Sequence, residues 1–191
     1  MKYKQFYSGK LDSTILENLD REHKNKMNRL IGEIERGTWT VKQKKRQKNS
    51  IISNIALYKV FLDNGLSAQE SKELVKEYSF HIAEKLHGVL SALFHIPGFF
   101  HIFRFFMRKG MTGEEIWKSK ILFDDPKKFF MDVHRCLWAD TCRHFGCPEI
   151  CEIFCLCDHI VFGNIEKLQF ERSQTLGMSG EKCDFCFYSK S

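Results

Sequence analysis

The stretch Phe129-Phe130-Met131-Asp132-Val133-His134-Arg135-Cys136-Leu137-Trp138 decides the fold class. Before it, apolar residues recur at helical spacing. Within it, the period falls to two. An extended chain puts Asp132, His134, Cys136 and Trp138 on one face and Phe129, Met131, Val133, Arg135 and Leu137 on the other. Residues 168–176 and 183–188 read as two further strands, joined by the glycine-bearing loop Gly177-Met178-Ser179-Gly180. Between the first strand and these two, Gly146 ends a short helix and Pro148 suits the first turn of the next. On that next helix Cys151, Cys155, Asp158 and Phe162 are spaced by four, three and four, so they share one face.

Upstream the chain reads as helices. Ile15, Leu16, Leu19, Met27, Leu30, Ile31 and Ile34 define a long amphipathic helix with a stop at Gly37. Ile51, Ile52, Ile55, Leu57, Tyr58, Phe61 and Leu62 define a second, closed by Asn64-Gly65. Ser67-Ala68-Gln69-Glu70 has the capping-box pattern and opens a third helix that runs to about Phe94. Pro97-Gly98 breaks it, and Gly110 and Gly113 punctuate the next segment. The expected fold class is α+β: N-terminal helices packed on a small antiparallel sheet, with a C-terminal strand–helix–helix–strand–strand block. One domain is expected over 1–191, mainly helical in 1–110, with the candidate site in 120–191.

The 191 residues are 43% hydrophobic and 28% charged, as in a folded globular chain. Eighteen phenylalanines, clustered in 94–106 and 123–130, call for an aromatic core or pocket. The net charge of +6 is uneven: residues 1–110 hold 20 Lys+Arg against 11 Asp+Glu, and the rest hold 10 against 13. The basic half suits either a solvated lysine-rich surface or attraction to anions. The run Lys42-Gln43-Lys44-Lys45-Arg46-Gln47-Lys48 has no interleaved aromatic platform, so a linker or helix start is expected rather than a nucleic-acid site.

Residues 1–11 are polar and lack an apolar leader, which points to a cytoplasmic protein with reduced thiols. Residues 86–107 have the length of a membrane span but contain His87, His95, Pro97, Gly98, His101 and Arg104. They read as a buried helix, a break and a second apolar helix, and membrane contact is not expected. His81, His87, His95 and His101 lack compact metal-ligand spacing and read as structural or pocket-lining.

All eight cysteines lie in the last 56 residues. Thiols concentrated among carboxylates and arginines suggest nucleophilic, redox or metal chemistry. Cys183-x-x-Cys186 is the alternative metal pair. A second such pair at knuckle spacing is missing, and on a strand the two sulfurs point to opposite faces. The nucleophilic reading takes Cys136, beside Arg135 and on the face of His134, with Asp158 as a carboxylate of raised pKa. Arg172 offers a fork for a carboxylate, Thr175 a hydroxyl and Asp184 a second carboxylate. Each residue has a plain structural role as well. Cys136 and Cys183 serve as core thiols, Asp158 pairs with Arg172, Arg172 caps a surface patch, and Asp184 ties down the hairpin loop.

The ordered set Arg135-Cys136, Gly146-Cys147-Pro148-Glu149, Cys155-x-x-Asp158, Phe170-x-Arg172-x-x-Thr175-Leu176 and Gly180-x-x-Cys183-Asp184-Phe185 resembles the L-2-amino-thiazoline-4-carboxylic acid hydrolase family. The resemblance covers roughly the last 60 residues, and 55–74 looks like that family's helical half. It implies hydrolytic opening of a cyclic amidine to N-carbamoyl-L-cysteine. It supplies positions, and chemistry then suggests roles: Cys136 as nucleophile, Asp158 to protonate the ring nitrogen or activate water. Arg172 holds the carboxylate, and Thr175 and Asp184 orient the amine; His134, which does not map onto the family pattern, is a further substrate-binding candidate beside Cys136. No cofactor is called for. A small-molecule substrate is the expected partner, and self-association stays open. The alternatives are a non-catalytic small-molecule-binding or sensor protein, and a cysteine-rich metal-binding module.

Overall fold

A computed structural model describes residues 2–190. Its elements run α1 Lys2–Phe6, α2 Ser13–Arg36, α3 Val41–Ser50, α4 Ile52–Asp63, α5 Ala68–Phe94, α6 Phe99–Met111, β1 Trp117–Asp124, β2 Lys128–Cys136, α7 Leu137–His144, α8 Glu149–Phe162, β3 Leu168–Glu171 and β4 Cys183–Ser189. The fold is α+β, with a four-stranded antiparallel sheet in the order β1-β2-β4-β3. The chain divides into two compact units, one ending at Tyr78 and one beginning at Ser79, with the boundary inside α5.

The first unit is helical. Asp12 caps α2, where its Oδ1 accepts from Thr14 N at 2.8 Å, and the helix stops at Gly37. The basic run forms α3, opened by a reciprocal Thr40–Gln43 capping box. Gln43 and Gln47 face inward, while Lys44 and Lys48 reach Glu35 at its carbonyl and carboxylate, each at 2.7 Å. The core gathers Leu19, Ile34, Ile51, Ile55, Phe61 and Tyr7, whose hydroxyl donates to Leu74 O at 2.7 Å. Ser67 and Glu70 bond reciprocally to open α5, as the sequence pattern predicts.

The second unit holds the sheet and the phenylalanines. Phe129, Met131 and Val133 of β2 share a core with Cys183, Phe185 and Phe187 of β4, Leu168 of β3, and Phe100 and Phe103 of α6. Phe187 is wholly buried. It stacks on Phe170 at 5.0 Å and meets Phe103 and Phe162 edge-on at 5.1 and 5.2 Å. Each such ring contributes roughly 1.5–3 kcal/mol by leaving water.

Three expectations change. The helix pair over 86–107 is amphipathic rather than buried, since Val89, Ile96, Ile102, Phe105 and Phe106 are exposed. α6 also runs through Gly110 to Met111 instead of stopping there. Among the described residues, no helix is long and apolar enough to cross a membrane. Second, β1 is an additional strand at the sheet edge. Trp117, Ser119 and Ile121 alternate with the exposed Lys118 and Lys120, a short period-two signal with lysines on the solvent side. Third, the strand over 168–176 ends at Glu171. Past it, the N–H groups of Ser173 and Gln174 donate to the Asp184 carboxylate at 3.0 and 2.9 Å instead of to a ladder partner.

Strict alternation along β2 fails at one residue. Lys118 pairs with Arg135 and Ser119 with Val133, so His134 is an extra residue in a β-bulge. The bulge resets the period. It moves Cys136 onto the inner side with Val133 and leaves His134 exposed.

Candidate functional site

The inner sheet face, α5, α6, α7 and α8 enclose a cavity of about 300 Å³ within the second unit. Val133 and Cys136 reach it from β2, Cys183 and Phe185 from β4, and Trp117 from β1. The α8 face of Cys151, Cys155, Asp158 and Phe162 turns into it as one stripe. Trp117 and Trp138 form a wall of stacked indoles, 5.1 Å between centroids and 12° between planes. Leu86, 55% exposed, marks the side where the cavity opens.

Cys136 stands at the start of α7, where the chain changes from strand to helix. Burial raises its thiol to about 12, against the pull of the Ala139 and Trp138 backbone N–H groups. Burial likewise holds Cys183 near 11 and Cys157 near 12. Cys151 and Cys155 are raised mainly by sharing a thiol hydrogen bond, Cys151 with Cys142 and Cys155 with Cys151. At neutral pH the five lining thiols are therefore protonated.

Asp158 is the one charged side chain among the described lining residues. Its side chain is 35% open to the cavity yet ringed by protein. Burial raises its carboxyl to about 6, although Arg172 opposes the shift. Arg172 Nη1 donates to Asp158 Oδ2 at 2.6 Å and Nη2 to Cys155 O at 2.5 Å. The guanidinium is 1% exposed and lies between Phe170 and Phe185, 5.7 and 5.2 Å from their ring centroids. Arg172 thus sits behind Asp158 and presents no free fork to the cavity.

The structure brings Cys136 and Asp158 to one cavity, with Arg172 bonded directly behind the acid. Of the remaining predicted site residues, Cys183 also lines the cavity, and His134, Thr175, Asp184 and Cys186 lie outside the lining. His134 lies on the exterior, the side that alternation from the inward Val133 gives it, and the bulge carries Cys136 away from it to the inner side. Asp184 alternates away from Cys183 and Phe185 and is committed to Ser173 Oγ and the N–H groups of Ser173 and Gln174. Thr175 is buried behind Cys155, and its side chain opposes the rise of the Cys155 thiol instead of reaching the cavity. Cys186 faces the other side of the sheet from Cys183, as β4 alternation requires. Among the described residues, no three His, Cys, Asp or Glu side chains converge to hold a metal.

The sequence gives no sign of the two tryptophans as a wall, and it shows Gly177 and Gly180 only as loop glycines. A Cβ on Gly177 would lie 2.7 Å from Cys155 Sγ and 2.8 Å from Cys151 Sγ. One on Gly180 would lie 2.9 Å from both N and O of Thr175. The loop 176–180 can press on the thiol stripe only because these positions lack side chains. The glycines were visible in the sequence, but their neighbours were not.

The family model for L-2-amino-thiazoline-4-carboxylic acid hydrolase matches the chain over residues 43–187. No curated protein and no solved structure matches it. The match takes in far more than the C-terminal motifs, and the chain belongs to that family.

Proposed function

From membership in this hydrolase family, we propose that the chain opens a small cyclic amidine with water, using Cys136 and Asp158. The observation that carries the reading is their meeting at one cavity in a chain of this family. In the overall reaction water oxygen bonds to the amidine carbon and the ring carbon–sulfur bond breaks. One water hydrogen ends on the ring nitrogen and the other on the departing sulfur, giving a carbamoylated amine and a free thiol.

In this reading Asp158 is the proton-transfer group. Its carboxyl, held near 6, is ionised at neutral pH and can take a proton from water or from a thiol. Cys136 is neutral at rest, so attack by its sulfur requires transfer of that proton as substrate seats. The Trp138 and Ala139 N–H groups at the start of α7 would stabilise the thiolate formed. Arg172 is a positioning residue that fixes Asp158 and limits its pKa.

The protonated state of every lining thiol favours a second reading, capture of a ligand without turnover. One experiment separates the two. Purified protein is incubated with 2-amino-2-thiazoline and with its 4-carboxylate, and released thiol is titrated with a chromogenic disulfide after the protein is removed. Thiol release that disappears in both Cys136→Ala and Asp158→Asn supports the hydrolase. Release unchanged in both variants refutes these roles, and ligand binding with no release supports capture.

A further inference from the structure

We propose that this cavity takes a neutral or cationic, largely apolar heterocycle that carries no carboxylate. This deepens the hydrolase reading and rests on it only for what becomes of the ligand, since occupancy can be measured without turnover.

Counter-ions decide the class of ligand. A buried ligand carboxylate needs a cation or several N–H donors in the wall. Among the described residues, no Lys, Arg or His lines this cavity. The cationic and imidazole side chains on the surrounding elements are engaged elsewhere, beginning with His87, whose Nδ1 lies 3.3 Å from Val161 O. Arg172 has spent both terminal nitrogens on Asp158 and on Cys155 O, and it is shut off behind them. Lys182 bonds Asp132 at 2.6 Å, and Asp132 alternates away from the inner residues Met131 and Val133. Arg135 and Arg143 share Asp140, each at 2.7 Å. The His159 ring lies against Phe170, and burial and Arg172 both disfavour its charged form. The ionised group a ligand would meet is a carboxylate, Asp158. A ligand carboxylate would therefore be desolvated beside a like charge.

The same wall suits an amidine. Its N–H groups can donate to Asp158, and its ring can lie against the Trp117–Trp138 pair and the phenyl groups of Phe154 and Phe162. A volume of about 300 Å³ accommodates more than a five-membered ring, and the lining beyond Asp158 is apolar or thiol.

The test uses the full chain and three probes: 2-amino-2-thiazoline, its 4-carboxylate, and the fused bicycle 2-aminobenzothiazole. Tryptophan emission reports binding at the indole wall, and calorimetry supplies the dissociation constants. The expected result is that the parent ring binds at least about tenfold tighter than its carboxylate, with the bicycle about tenfold tighter again. In Asp158→Asn the gap between parent and carboxylate is expected to shrink to within about threefold, because the like charge is gone and Arg172 is released. A carboxylate that binds the wild-type protein as tightly as the parent overturns the proposal, and so does failure of all three to bind. An undiminished gap in a folded Asp158→Asn protein also overturns it. Should that variant not fold, the wild-type comparison decides alone. Binding in the expected order without thiol release removes the hydrolase reading and leaves this one standing.

Discussion

Arg172→Met isolates the interaction on which the chemistry of Asp158 depends. Methionine keeps much of the apolar stem between Phe170 and Phe185 and removes the charge. In the wild type, burial lifts the Asp158 carboxyl to about 6 while Arg172 restrains it. Losing a contacting cation is expected to carry the folded-state value to between about 7 and 9. Linkage sets the sign. A carboxyl raised on folding contributes its stability in full below its unfolded value near 3.8, and that contribution is lost as pH rises through the folded value. In the variant the loss continues beyond pH 6, so the gap between wild type and variant widens between pH 6 and 9. A displacement of that size corresponds to about 1.4–4 kcal/mol at the usual conversion. Because Asp158 is 35% open to the cavity, solvent screening reduces this to about 1–2 kcal/mol. On top of it lies a pH-independent loss of about 1–2 kcal/mol for the bond to Cys155 O and the ring contacts. Urea denaturation followed by circular dichroism at pH 5 and pH 8 measures both parts. A destabilisation equal at the two pH values refutes the claim that Arg172 restrains the ionisation of Asp158.

Other perturbations probe the frame around the site. Gly177→Ala drives a methyl to 2.7 and 2.8 Å from two sulfurs, so about 1–3 kcal/mol of stability is expected to go, with weaker ligand quenching of tryptophan emission; an unchanged urea midpoint contradicts the tight fit. Asp184→Ala removes the acceptor of two backbone N–H groups and the Ser173 hydroxyl. It is expected to cost about 1–3 kcal/mol and to speed proteolysis of the 172–182 loop while thiol release persists; loss of turnover in a folded variant places Asp184 in the chemistry after all. Phe187→Ala opens the centre of the aromatic core and is expected to cost about 3–5 kcal/mol in chemical denaturation, so a loss below about 1 kcal/mol contradicts the packing. If Asp158 is the proton acceptor, kcat/KM falls as pH drops through about 6, and a flat profile from pH 5 to 8 excludes that role.

Much of this protein is written in local patterns. The helical periods of 15–34 and 51–62, the Ser67–Glu70 capping box and the break at Pro97-Gly98 involve residues within a few positions of one another, so the sequence alone places α2, α4, α5 and α6. The same holds for the Cys151–Cys155–Asp158–Phe162 stripe, because helical geometry fixes which side chains share a face. The antiparallel pairing of β3 with β4 is likewise legible from two short strands about a glycine loop.

Tertiary structure decided where those side chains point and which charges they meet. Period-two reasoning put Cys136 with His134. One unpaired residue opposite Lys118 and Ser119 reversed that, and a bulge depends on the partner strand. Arg172 and Asp158 are 14 residues apart, and only packing could show that the guanidinium is consumed by the acid and unavailable to a ligand. Asp184 ends β3 rather than serving the cavity because its carboxylate found backbone N–H groups ten and eleven positions upstream. Sequence carries residue type and near-neighbour geometry. Counter-ion accounting is a long-range property, and it separates a carboxylate-binding cavity from the apolar, acid-bearing one formed here.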